Sequence, residues 1–255
     1  MLEILSLLLA VAQTWVETAA LVFARVGSAV ALMPGFGSQL LPRRLRLAVA
    51  LSFTAILVPL VGGDLAPPEA FLPALMAEMS VGVILGLSLR LLVMALQFAG
   101  SIAAQSSAVA HVMAAGAMPD PMPALGNILV LAAITLALTL GLHLKIAEAL
   151  TLSYDAAPLG RLPRADLLAD WIVARGAHAV GLGLTLSAPF VLGAFVYNLA
   201  LGAINKAMPQ LMVAFVGAPV ISGGTLLMLL LASPLLLTVW VKQVDALLAA
   251  PLAVP

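Results

Sequence analysis

Apolar runs dominate this chain, and short clusters of proline, glycine and charge separate them. Six stretches approach or exceed the span of about 20 residues that a membrane-crossing helix needs: 15–33, 45–61, 71–99, 124–142, 171–201 and 211–241. Pro34 and Pro42 bracket the first connection, and Pro67, Pro68 and Pro73 sit at the second. Asp120-Pro121-Met-Pro123 closes the third, and Pro158 and Pro163 mark the fourth. Proline lacks a backbone N–H and disfavours helix in the residue before it, so these positions read as helix boundaries. The pattern predicts an all-α fold of about six long apolar segments arranged as membrane-targeted helical hairpins. No 20–50-residue repeat and no long linker divides it, so residues 1–255 read as a single domain.

One interval departs from this pattern. Between the fifth and sixth segments stand Asn198-Leu-Ala-Leu-Gly202, then Asn205-Lys206-Ala-Met-Pro209-Gln210, then Gly217-Ala-Pro219. Amides, a lysine and two prolines gain nothing from hydrocarbon, where each unsatisfied polar group is costly. Such an interval fits a place surrounded by protein or by water, and so a subunit of an assembly.

Composition sharpens the class. The chain is 64% hydrophobic and 9% charged, with a mean hydropathy of +1.19, whereas soluble domains carry about 25% charged residues. It is an integral membrane protein by composition. Eleven basic and eleven acidic residues cancel, which removes the case for nucleic-acid binding. Without cysteine there is no disulfide framework, thiolate metal site or cysteine nucleophile. The first residues, Met1-Leu-Glu3, lack the basic region of a secretory signal, so the first apolar run is expected to be retained. Six alternating segments would place Arg43, Arg44, Arg46 and Lys206 on one side and Lys145, Arg161, Arg164 and Lys242 on the other. That balance assigns no orientation. Either one segment is misplaced or several are hairpins that do not fully cross.

Arg25, Glu78 and Arg90 lie inside apolar segments, where a charge faces protein or water. Glu78 and Arg90 stand about 18 Å apart along a helix and cannot pair with each other. Each is expected to snorkel or bond a neighbouring helix; a proton-relay role for Glu78 is the alternative. Gly82 and Gly86 form a GxxxG motif, which lets two helix backbones approach closely. From Gln97 onward the chain turns polar and small, with Gly100, Ser101, Gln105, Ser106, Ser107 and His111. Gln97, Ser101 and Gln105 share one helix face, suited to a water-filled lumen or a hydrogen-bonded subunit contact. Arg90, Gln97 and Gln105 are expected, with Arg25, Glu78, Gly82, Gly86 and Gly100, at packing or buried polar positions. A loop rich in methionine follows, with Met113, Gly116, Met118, Asp120 and Met122. Flexible thioethers can close around an irregular surface, or simply anchor an interhelical loop.

Catalytic signatures are missing. No nucleophile-elbow glycines surround Ser153, which might otherwise join His143 and Asp155. The histidines His111, His143 and His178 lack metal-ligand spacing, and no P-loop occurs. Neither a catalytic residue, a cofactor site nor a metal site is assigned.

Taken in order, these landmarks resemble the FliR family of flagellar type III export-gate proteins over nearly the whole chain. The resemblance begins at Phe23-Ala-Arg25-Val-Gly27, Pro34-Gly-Phe-Gly37 and Pro42-Arg43-Arg44-Leu-Arg46. It continues through Glu78, Gly82 and Gly86, Gly100 and Gln105, and Asp120-Pro121. Gly141-Leu-His143, Ser153-Tyr154 and Pro158-Leu-Gly160 follow. It closes on Asn198 and Gly202, Pro209-Gln210-Leu211 and Gly217-Ala-Pro219. Departures are Met212, where the family tends to be polar, and Ala214 and Ala218, where it tends to be aromatic. A phenylalanine common before Gly141 is also missing.

The resemblance implies one copy of this chain joined to FliP-like and FliQ-like subunits in a closed helical cone around an export channel. FlhB-like and FlhA-like components would accompany it in the flagellar basal body of a bacterial inner membrane. Unfolded proteins would pass through, and the segment from Ser107 to Pro123 would plug the closed channel. The homologous subunit of a virulence injectisome shares most of these motifs and is the alternative; a small-solute transporter should show paired half-repeats, which are lacking. Arg25, Glu78, Arg90 and the interval from Asn198 to Gln210 would be unpaired polar groups in an isolated chain. The lone chain is therefore expected to be unstable without the FliP-like subunit.

Overall fold

The computed structural model describes the backbone of residues 2–37, 41–61, 70–114, 124–161, 165–208 and 213–253. It describes their side chains except at 2–3, 7, 10, 107–114, 124, 165–167 and 213–219. Seven helices and no strand occur among the described residues. They are α1 (Leu2–Leu32), α2 (Arg43–Val61), α3 (Phe71–Ala114), α4 (Ala124–Thr139), α5 (Leu142–Ala156), α6 (Ala165–Ala207) and α7 (Val213–Ala249). The all-α expectation holds. Among the described residues five helices are long and apolar enough to cross a membrane, or six when the bent pair α4 and α5 counts as one span.

Two differences from the sequence reading have physical causes. The fourth apolar stretch ends at a turn, and a further helix follows where a connection was expected. Gly141 makes that turn with φ 81°, a left-handed conformation that suits glycine, and its carbonyl accepts the first hydrogen bonds of α5. Helix α5 hides from a hydropathy reading because Lys145, Glu148 and Asp155 share it with the buried Ile146, Ala149 and Leu150. The second difference is length. Helices α3 and α6 run beyond their apolar cores, through Gln97–Ser106 and Asn198–Lys206, because polar side chains interrupt hydropathy without interrupting helical hydrogen bonding.

The chain divides into two compact units. The first comprises 1–91, 138–176 and 244–255. Its α1 buries Leu21, Val22, Val26, Ala29 and Val30 completely, a stripe at helical spacing, and α1 packs on α2. Phe36 beyond α1 meets Phe53 of α2 edge to face at 6.4 Å. Helix α3 seats on α1 through Gly82 and Gly86. A Cβ at Gly82 would collide with the Arg25 carbonyl and the Ser28 hydroxyl, and one at Gly86 would stand 2.5 Å from the Ala29 carbonyl oxygen. The motif's partner is thus a helix of the same chain. The Lys145 ammonium meets the Asp245 carboxylate at 2.7 Å, and Arg175 Nη2 and Trp171 Nε1 donate to the Ala253 carbonyl.

The second unit comprises 92–137 and 177–243. Here a Cβ at Gly100 of α3 would run into the backbone of Gly126 on α4, so the two glycines are what let these helices touch. Helix α6 meets α3 in the same way, Gly183 against Phe98 and Ala95. Trp240 of α7, fully enclosed, donates its indole N–H to the Leu92 carbonyl at 2.8 Å.

A pair of substitutions separates close packing from hydrophobicity alone. Leucine at Gly86 must displace backbone and is expected to cost more than about 3 kcal/mol, the upper range for overpacking. Leucine at Val83, which is 41% exposed, is expected to stay within about 0.5 kcal/mol. Thermal unfolding of the detergent-extracted protein measures both; equal midpoints would refute this seating.

Candidate functional site

The first unit contains a charge cluster with no access to solvent. Arg25 on α1 and Glu78 on α3 are both 0% exposed, in a chain with few charges to spare. The guanidinium and carboxylate meet two-pronged: Nε donates to Oε2 at 2.7 Å and Nη2 to Oε1 at 3.0 Å. Two parallel charge-assisted bonds of this kind are the strong form of the interaction.

The rest of the cluster comes from the end of α5 and the turn after it. Arg25 Nη1 donates to Ser153 Oγ at 3.0 Å, and Nη2 also donates to the Ala157 carbonyl at 2.8 Å. The Tyr154 ring lies flat under the guanidinium carbon at 3.7 Å, a cation–π stack. Beyond α5 the chain turns at Gly160, whose φ of 75° is reached without strain only by a residue lacking Cβ. That turn aims the Gly160 N–H at Glu78 Oε1, 2.8 Å away. A charge this deep is tolerable only when its hydrogen-bonding capacity is filled, and here a single arginine bonds α1, α3, α5 and the turn after α5. Helix α3 brings the glutamate there because Glu78 and Gly82, one turn apart, share the face that approaches α1.

The expectation that Arg25 and Glu78 would be unpaired in the lone chain is therefore corrected. They are paired within it, so neither contributes to any instability of the isolated subunit. The Tyr154 hydroxyl is buried and makes no hydrogen bond among the described residues. Phenylalanine at 154 keeps the ring under Arg25 and removes that orphan. It is expected to hold or raise stability by up to about 1 kcal/mol, whereas alanine should lower it; chemical denaturation in detergent compares the two.

The other sequence-derived residues are placed as follows. Arg90, Gln97 and Gln105 are exposed on α3 in the single chain, which corrects their assignment as buried polar groups. Gly100 is buried against α4. Pro34 and Gly37 form the turn after α1, where the Gly37 N–H donates to the Met33 carbonyl at 2.7 Å. The Pro42 carbonyl accepts from Leu45 and Arg46 as α2 begins at the exposed Arg43. His143 is exposed in the first turn of α5. Asn198 and Gly202 are exposed on α6, where the Asn198 amide bonds the Ala194 carbonyl of its own helix.

Ser107 and Met113 belong to the last turns of α3, and Gly217 and Pro219 to the first turns of α7; their side chains lie outside the described ones. Gly116, Met118, Asp120 and Met122 of the plug loop, and Pro209 and Gln210, lie outside the described residues altogether. Tyr154 and Gly160 appeared in the sequence only as part of a family pattern, and Ser153 there and as a nucleophile that was set aside. Their link to Arg25 is carried by tertiary structure, with no local signal. Among the described residues no cluster of three or more histidines and carboxylates could hold a metal ion.

The pattern of known proteins decides the class. The model of the bacterial export proteins, family 1, matches residues 16–247. The chain belongs to this family. Among similar members of this export family is the flagellar biosynthetic protein FliR of Caulobacter vibrioides, 34% identical over 240 residues that cover 91% of this chain and 95% of that protein. That of Aquifex aeolicus is 29% identical over 86% of each chain, and that of Escherichia coli K12 25% identical over 76% of each. The family resemblance carried by the sequence motifs is borne out. With five or six span-length apolar helices, the chain is a membrane protein of this export family.

Proposed function

We propose that the chain is a subunit of the flagellar type III protein export gate. It forms, with FliP-like and FliQ-like subunits, the channel through which unfolded flagellar proteins leave the cytoplasm. The observation that carries this reading is the similarity to FliR of Caulobacter vibrioides along almost the full length of both chains. Its place is the flagellar basal body in the bacterial inner membrane, beside FlhB-like and FlhA-like components, and it performs no catalytic step. The polar exposed face of α3 (Arg90, Gln97, Gln105) and the exposed Asn198, Asn205 and Lys206 of α6 support an assembled state, because each needs a polar neighbour that lipid does not supply.

The reading is tested by removing the gene and by pulling on the protein. The deletion strain is expected to lack filaments and to secrete no flagellin, with both restored by the intact gene. The affinity-tagged chain is expected to bring down FliP-like and FliQ-like subunits from detergent-solubilised membranes. Normal filaments in the deletion strain, or recovery of the chain alone, would overturn it.

A further inference from the structure

Helix α3 leaves one narrow strip of itself uncovered in the first unit. From Met76 to Arg90 the residues that are not buried are Met76, Ser80, Val83, Leu87 and Arg90, together with Met79, which lines a groove beside α1 and α2. Apart from Met79 they follow one another at intervals of four, three, four and three residues. That alternation traces a single seam along a helix, about 21 Å long at 1.5 Å per residue. It is the spacing by which one helix receives the side chains of another.

The seam ends on a charge. Arg90 is exposed and, among the described residues, makes no hydrogen bond or ion pair. The apolar part of α3 runs from Phe71 to Ser106. Any run of about 20 consecutive residues within it, the number that crosses hydrocarbon, includes Arg90. No register of α3 in a membrane therefore takes this residue out of the crossing stretch, where an unpaired guanidinium is costly.

We propose that this seam seats a helix of another subunit, whose Asp or Glu carboxylate meets Arg90 and whose apolar side chains cover Val83 and Leu87. The proposal rests on the export-gate reading above and adds the chemistry of the neighbour. A carboxylate accepts two parallel N–H bonds from a guanidinium, as Glu78 does from Arg25 inside this chain. Lipid tails offer Arg90 no acceptor. A second copy of this chain, inserted in the same orientation and paired through the same seam, would set Arg90 at the depth of its own counterpart. That is a like-charge contact, which an interface avoids.

The test uses the tagged full chain in its native membranes, with whatever subunits copurify. A photo-reactive residue at the exposed Val83 is expected to crosslink to another subunit. The crosslinked peptide should carry Asp or Glu about two helical turns from the adduct, the separation of Val83 from Arg90. A lipid adduct, a second copy of this chain, a peptide without a carboxylate, or no adduct at all would overturn the proposal. Arg90→Glu sets two carboxylates face to face and should cut recovery of that subunit at least about ten-fold. Arg90→Lys keeps the charge but not the fork, so its recovery should fall between that variant and the unaltered chain. Equal recovery with Arg90→Glu and with the unaltered chain sinks this proposal and leaves the export-gate reading standing. An unaltered chain recovered alone sinks both.

Discussion

Alanine at Glu78 is expected to lower the stability of the folded protein sharply. It leaves the Arg25 guanidinium buried with its carboxylate gone, and breaking a buried pair from one side costs about 3–5 kcal/mol. That is a large part of the about 5–15 kcal/mol that holds a typical domain folded. Arg25→Met removes the same pair from the other side, and it also strips Ser153 Oγ and the Ala157 carbonyl of their donors. The double variant Arg25→Met with Glu78→Met is the informative one. If the cluster is an architectural joint, two apolar side chains of similar volume should recover much of the stability and of protein export. If Glu78 instead relays protons, the double variant should assemble and export nothing. Membrane abundance together with flagellin secretion separates these outcomes.

The second large effect concerns the segment that ends α3. Under the proposed function, residues 107–123 close the resting channel. Methionine thioethers are apolar enough to exclude ions and flexible enough to yield to a passing chain. Deleting Met113–Met118 should leave the assembly intact and make the membrane leaky to small ions, with slowed growth. Conductance of the purified complex in planar bilayers, compared with the unaltered complex, provides the measurement. An assembled deletion variant that stays closed would assign the plug elsewhere.

Much of this could be read in the sequence, and what could not has a common cause. Arg25 and Glu78 stood out because apolar helices do not carry charge idly, and Gly82 with Gly86 announced a close helix neighbour. In both cases the partner was invisible, because no local pattern links residue 25 to residues 78, 153 and 160. Helix α5 was missed for a different reason. Its polar face lowered the hydropathy to that of a loop, although Gly141 before it and Pro158 after it are the punctuation of a separate helix. Arg90 and Gln97 were read as buried because a polar group in an apolar segment invites that inference; in the single chain they face outward.

The order in which the chain is made gives the Arg25 cluster a further consequence. Glu78 is separated from Gly160, its third donor, by 82 residues, and Arg25 from Ala157 by 132. At about 5–20 residues per second, a growing chain therefore spends about 4–16 s with its glutamate synthesised and that last donor not yet made. During that interval the first helices can settle only part of their charge, so their final seating must wait for the end of α5. A ribosome-bound chain truncated before Ser153 should consequently be a far better protease substrate than one extended just beyond Gly160.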